Sequence, residues 1–388
     1  MLLTYVFLGR ILGSEGFGRF GLVHGLFVAV GVFSLWGVPQ AVVRFVAAGE
    51  HGAAAVLGAA RKILIRVNLF ASVGLFAGGP WIAQGLLGDS GLVSSVWAGI
   101  VFVVAQVVIQ TAVALEQGRL AFGRAAAMNG ANGVAFLTGG VIGGSWGGVL
   151  GAVVGISVAS LLLALGLIRI RGGVPTALEE VPEAVLMRIS RFSRLTVLSA
   201  GLVWPVLFLA QAMLQRASGY EEVALFAAAR PWFQGIILIP TIVARTSLPL
   251  AAQAFTRGDR PGLLRLIGGG GVAGLVSVLP FALLLFLLPD VVAGFYGAGF
   301  EGVVDVLRIL AATALVIGLH LSFGQIPAVV DRMEVGVLIN VVWATAFLSL
   351  AWLWVPAGAV GLAWAFLVAY GVNAVLTVAT SLYLVRRR

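Results

Sequence analysis

The chain contains no cysteine, so disulfides, iron–sulfur clusters and cysteine-ligated zinc are excluded. Charge is scarce. Asp, Glu, Lys and Arg make up 10% of 388 residues, where a soluble globular chain carries about 25%. Acids are the rarer sign, 15 against 24 bases, with three histidines. The acids (for instance Glu50, Asp89, Glu116, Asp290 and Asp331) all map to expected loops or ends of apolar runs. Paired-carboxylate catalysis, a metal cluster and a nucleophile–base dyad therefore have no candidate residues, and the chain reads as a non-enzyme without cofactor or metal. Proton- and sodium-coupled transporters usually bury a carboxylate, and none is placed here. The ten-residue alternating strands of an outer-membrane barrel are also lacking. Met1–Gly9 is too short for a cleavable signal peptide.

What is there is apolar. The chain is 61% hydrophobic with a mean hydropathy of +1.09, and many of its runs approach the ~20 residues that cross a hydrocarbon core as helix. The fold class expected is all-α, a polytopic transmembrane helix bundle of about 12 spans in two six-helix pseudo-repeats. The spans are placed at Met1–Gly9, Phe20–Val38, Ile63–Leu87, Leu92–Leu115, Ala125–Ile142, Gly147–Ile168, Leu195–Leu214, Val223–Leu248, Leu264–Leu288, Val306–Val329, Val335–Val355 and Ala357–Val385. The first is about half a span and is expected to be truncated. Residues 1–168 would form the N-terminal lobe, 169–194 a basic cytoplasmic linker and 195–388 the C-terminal lobe.

The repeat carries the architecture. Leu8–Ala47 joins a Gly/Glu/Arg-bearing connector to an apolar run ending in Pro39-Gln40, and Leu214–Pro240 repeats that outline. Phe20 falls on Phe226, and His24 on Arg230. Gly148-Val149-Leu150-Gly151-Ala152 and Ala359-Val360-Gly361-Leu362-Ala363 open the sixth and twelfth spans in the same way. An even number of spans per half relates the halves by an axis along the membrane normal.

The formal charge of +9 and a pI near 11.1 do not indicate nucleic acid, because the charges sit between spans. One side of the membrane receives 19 basic residues, and the other only Arg10, Arg19, Arg216 and Arg308. The positive-inside bias makes the linker and C-terminus cytoplasmic. Arg230 belongs to neither side. It lies about eight residues, or ~12 Å, into its span, where a charge costs about 2.5–3.5 kcal/mol on insertion scales.

Arg230, Gln234, Thr241 and Arg245 share about 60° of helix face and suit a cavity, with snorkelling or pairing to Glu221 or Glu222 as the plainer alternative. His24, as the repeat equivalent of Arg230, would add a second cationisable group suited to an anion such as pyrophosphate. His320 is a weaker third candidate. Gln106, Gln110 and Gln117 form a stripe on the fourth span, and Asn373, Thr377 and Thr380 one on the twelfth. Both stripes fit either sugar hydroxyls in a cavity or interhelical hydrogen bonds. Arg44 and Arg66 read as positive-inside residues at span ends. The glycine clusters Gly139-Gly140, Gly143-Gly144 and Gly268–Gly271 lack a following Lys-Ser/Thr, so they indicate close helix packing or hinges rather than a phosphate loop.

The opening block resembles the N-terminal signature of the oligosaccharide flippases in the multidrug/oligosaccharidyl-lipid/polysaccharide (MOP) exporter superfamily. The turn stands here as Arg10-Ile11-Leu12-Gly13-Ser14-Glu15-Gly16-Phe17-Gly18. The close of the second span stands as Gly37-Val38-Pro39-Gln40-Ala41-Val42-Val43-Arg44-Phe45. The resemblance implies a MATE/MOP-like bundle in a bacterial or archaeal cytoplasmic membrane. Its substrate would be a polyprenyl-pyrophosphate-linked oligosaccharide, turned from the cytoplasmic to the outer leaflet by alternating access for surface polysaccharide biosynthesis. Besides the lipid bilayer, its partners would be a polysaccharide polymerase or glycosyltransferases, with no nucleic acid. Cationic cavity residues of the family carry over onto Arg230 and His24. Three rivals stand beside this reading: a lipid II flippase-like member, a multidrug/cation antiporter of the same superfamily, and a membrane-embedded polymerase or glycosyltransferase.

Overall fold

Apolar runs long enough to span a membrane become helix, but fewer, longer and more often broken helices than the runs suggest. The computed structural model describes residues 2–49, 52–170 and 182–387. Among these are fourteen α-helices and no strand: α1 (Leu2–Leu35), α2 (Val38–Ala48), α3 (Ala53–Trp81), α4 (Val93–Gly118), α5 (Phe122–Ile170), α6 (Glu183–Ala200), α7 (Val203–Ser218), α8 (Tyr220–Thr256), α9 (Arg260–Leu287), α10 (Pro289–Tyr296), α11 (Val303–His320), α12 (Ile326–Val329), α13 (Met333–Trp354) and α14 (Gly358–Arg387). Eight helical stretches are long and apolar enough to cross a membrane by length and composition. Three of them contain two expected spans each: Leu2–Leu35, Phe122–Arg169 and Met333–Arg386. Exposed Phe70, Trp146, Leu162 and Trp352 belong to the outer surface, an apolar exterior suited to lipid and not to water.

Backbone breaks divide these long helices. At Gly13, φ +67 and ψ 177 turn α1 back on itself, a conformation that only glycine adopts cheaply. Tyr5 on the first arm then meets Phe17 and Phe20 on the second, with ring centres 5.5 and 6.1 Å apart. Gly147 and Gly148 break α5 in the same way. Its two arms touch through Gly139, Gly143, Gly151 and Gly155, where an added Cβ would run into the opposing backbone. The close packing expected of Gly139 and Gly143 is thus present. Of Gly268–Gly271, only the last two face a neighbour.

Several expected boundaries need correction. The linker's second part, from Glu183 on, is helix α6, and residues 171–181 lie outside the described residues. Because Gly201-Leu202 turn out of the helix, the seventh span is split between α6 and α7. The tenth span, expected to reach Val329, stops as α-helix at His320 and continues as a 3-10 turn, Phe323–Gln325, and α12. Helix α2 had no counterpart among the expected spans. Its apolar residues Val38, Ala41, Val42 and Phe45 are buried against α3, α4 and α6.

The two repeat-related segments pack on each other in the core. The second arm of α1 meets α7 and α8 through small residues. Gly18 lies against the Tyr220 backbone, Gly21 against Ala227, and Gly25 beside Phe208 and Gln211. At the arginine-poor end, polar contacts join the halves. Arg10 donates to the carbonyls of Phe295 (2.8 Å) and Gly294 (3.1 Å). Arg216 donates to Gly85 O, and Tyr220 to Leu87 O. Arg19 pairs with Glu15 at 2.9 Å and Asp89 at 3.5 Å while lying 5.3 Å from the Tyr220 ring centre.

Candidate functional site

Helix α8 is apolar for most of its length, so the placement of Arg230 within it decides what the bundle interior can hold. Arg230 does not run out to a headgroup, nor does it pair with Glu221 or Glu222. Glu222 instead accepts a hydrogen bond from the Ala359 backbone at 2.6 Å. The Arg230 guanidinium lies 5.0 Å from the ring centre of Trp204 on α7, a cation–π contact. Tyr5 of α1 and Tyr370 of α14 lie within electrostatic range of it. Among the described residues it has no ion-pair or hydrogen-bond partner.

His24 also meets Tyr5. Its Nδ1 is 2.8 Å from the Tyr5 hydroxyl. Its ring is enclosed by Phe20, stacked at 5.8 Å, with Phe136 at 5.2 Å and Phe102 at 5.9 Å. Among the described residues Nε2 has no hydrogen-bond partner, and the ring borders a small cavity lined by Phe20, Phe27, Phe102, Val153 and Ile156. The pair singled out by the repeat therefore converges: His24 bonds Tyr5, and Arg230, from the other half of the chain, lies within electrostatic range of both. Chemically, this is a cation without a counter-ion, a neutral donor–acceptor and an imidazole with one free nitrogen. Such a set can receive an anion.

The other candidates lie elsewhere. Gln106 exchanges hydrogen bonds with Asn132 (2.9 and 3.2 Å) and reaches Ser160 at 3.4 Å, which is the interhelical alternative for that stripe. Gln110 is partly buried on the same helix. His320 bonds the Val316 carbonyl at 2.7 Å and also Asn373, which accepts from Thr377 at 3.4 Å. Gln234 is exposed, and Thr241 bonds its own helix at Ile237 O, 2.7 Å away. None of these shares a hydrogen bond with Arg230 or His24. Sequence reasoning missed Tyr5, Trp204, Tyr370 and the buried Gln211 of α7. The aromatics carried no signal that separates them from packing residues, whereas Gln211, a polar residue within a span, could have been found.

Among the described residues the acids lie in turns or towards helix ends, as expected. Glu116 is the one buried acid among the described residues, and it sits at the end of α4 with Arg124 at 3.0 Å and Arg119 at 3.4 Å.

No family model matches the chain, and no curated protein does. Solved structures match over its whole length. It superposes with a TM-score of 0.81 on the inward-facing conformation of a multidrug resistance MATE family transporter of the MOP superfamily, at 15% identity, covering 100% of this chain and 93% of that one. The outward-facing conformation of such a transporter gives 0.64, at 14% identity over 100% and 94%. A MOP superfamily transporter from Pyrococcus furiosus, described as having a binding pocket of reverse polarity that suggests a different function, gives 0.73, at 14% identity over 99% and 91%. At these identities the likeness is one of fold. The chain is an all-α polytopic bundle with the fold of MATE-type transporters of the MOP superfamily.

Proposed function

We propose that the chain is a membrane flippase that carries a polyprenyl-pyrophosphate-linked oligosaccharide from the cytoplasmic to the outer leaflet by alternating access. The observation that carries this reading is Arg230, a cation inside the bundle with no counter-ion among the described residues and with His24 and Tyr5 beside it. A drug or metal cation would meet repulsion there, whereas a pyrophosphate would supply the missing charge. The flippase-like motif of the opening block supports the same substrate class. Residues 1–168 and 195–388 act as the two lobes, the closer likeness to an inward-facing transporter corresponds to the loading state, and residues 169–194 lie in the cytoplasm.

Replacing Arg230 by Ala and by Lys, with surface polysaccharide measured in a strain that depends on this protein, tests the reading. Arg230→Ala abolishes export and Arg230→Lys retains part of it. Normal export by Arg230→Ala at full protein level would sink the assignment. A reporter fused near Glu180 must read cytoplasmic. The multidrug reading is favoured by the names of the fold relatives, one of which is a MATE multidrug transporter solved in complex with a ligand. Expression that raised drug resistance without restoring polysaccharide would establish it instead.

A further inference from the structure

Arg230 brings one positive charge, and a pyrophosphate esterified at both ends brings two negative ones. Inside an apolar bundle an uncompensated charge is costly, so a second group that can ionise decides how well such an anion is held. His24 is placed to be that group. Tyr5 lies 2.8 Å from its Nδ1, and Arg230 is the charged group within electrostatic range of its ring. The other helices packed on the ring bring apolar side chains to it: Phe102 from α4, with Phe136, Val153 and Ile156 from α5. From α7 come Trp204, on Arg230, and Gln211, beside Gly25; neither of them titrates.

Protonation also changes what Tyr5 can offer. A neutral imidazole has one N–H and one bare nitrogen, whereas the charged ring has two N–H groups and no acceptor. With His24 charged, Nδ1 donates to the Tyr5 oxygen across the 2.8 Å contact. The Tyr5 O–H is then turned away from His24 and needs another acceptor. Arg230 has donors alone and cannot serve. An anion on the guanidinium edges can serve, because the Trp204 ring covers the guanidinium face and leaves those edges open. With no anion present, a charge on His24 would add only repulsion from Arg230.

We infer that His24 takes up one proton when a doubly charged pyrophosphate binds at Arg230, so that anion binding and protonation are linked. The inference rests on the flippase reading and supplies the second positive charge that the reading lacks. The proton comes from solvent, stays on the imidazole while the anion is bound, and is returned when the anion leaves. Two positive groups then face two negative charges, and Tyr5 donates to the same anion.

To test it, the purified full chain in neutral detergent is titrated by calorimetry with citronellyl-pyrophosphoryl-N-acetylglucosamine, whose two charges do not titrate near neutral pH. Runs at several pH values, in buffers of differing ionisation enthalpy, count the protons taken up. About one proton is bound per anion, and affinity falls about tenfold per unit rise in pH wherever the free site is neutral and the bound site charged. The single-phosphate counterpart of the probe, with one charge, binds without proton uptake. H24Q binds the pyrophosphate probe with a flat pH profile and no uptake, and Y5F keeps the uptake but binds several-fold more weakly. Pyrophosphate binding by wild type with a flat profile and no uptake overturns the linkage and leaves the flippase reading standing. Uptake that persists in H24Q overturns the assignment to His24. Should H24Q lose its melting transition, wild type with the two probes carries the comparison, and equal uptake with both overturns the charge match. Failure of the pyrophosphate probe to bind at any pH overturns the flippase reading and the inference with it.

Discussion

Arg216 reaches from α7 to the Gly85 carbonyl, and Arg10 from α1 to those of Gly294 and Phe295. At the opposite end, Arg66 and Arg257 are exposed and bridge nothing among the described residues. One residue type serves two purposes, and its abundance separates them. Where arginine is rare, three of four join the two halves. Where it is common, most set the charge bias of a surface and few are individually needed. The fourth rare arginine, Arg308, pairs with Asp305 on its own helix at 3.4 Å and joins nothing else among the described residues.

The comparison can be broken at the arginine-poor end by forcing the halves apart. Gly18→Val would drive a branched side chain into the Tyr220 backbone, and overpacking typically costs about 1–3 kcal/mol. A clear fall in melting temperature, or a shift to the open form in spin-label distances across α1 and α8, is expected. An unchanged melt and unchanged distances would deny that this contact closes that end.

A smaller effect is expected of Arg19→Ala/Arg216→Ala, since each arginine is partly exposed and a net hydrogen bond is worth roughly 1 kcal/mol. Because the chain has no native cysteine, a single cysteine at Gly25 reports on opening without background. Its labelling by an impermeant thiol reagent from that side should rise several-fold, and no rise would show the contacts to be incidental. Arg308→Ala sharpens the contrast: labelling and melt should stay within error, as for an exposed i,i+3 pair worth about 0.5 kcal/mol or less. The smallest effect is expected of Arg257→Ala. One charge removed from so large a bias leaves insertion orientation unchanged, which a C-terminal reporter reads directly.

Much of this was legible in the residues because a bilayer imposes simple rules. Apolar length gave the spans, and the repeat of Leu8–Ala47 in Leu214–Pro240 placed His24 against Arg230, which the structure brings to the same tyrosine. Breaks within helices were harder to read, since they depend on backbone angles at single glycines such as Gly13 and Gly148. Helix α6 looks like loop by charge content, yet it buries one apolar face, and the short α2 does the same beside it. The partners of Arg230 were invisible for a different reason. Trp204, Tyr370 and Tyr5 lie far apart in sequence, and an aromatic residue in an apolar run looks the same whether it faces lipid, core or cation. The Gln106 stripe shows the converse, a regular polar spacing that the fold uses for a hydrogen bond to Asn132.

Gly18, Gly21 and Gly25 recur every three or four residues along the line where α1 meets α7 and α8. Side chains that interlock must change rotamer before two helices can move past one another. Here the opposing surfaces are a peptide backbone, an alanine methyl and the edges of Phe208 and Gln211. Little has to be disengaged for a few ångströms of sliding or tilting. The seam works as a bearing, holding the halves close through smoothness, while the arginines at its end act as the brake.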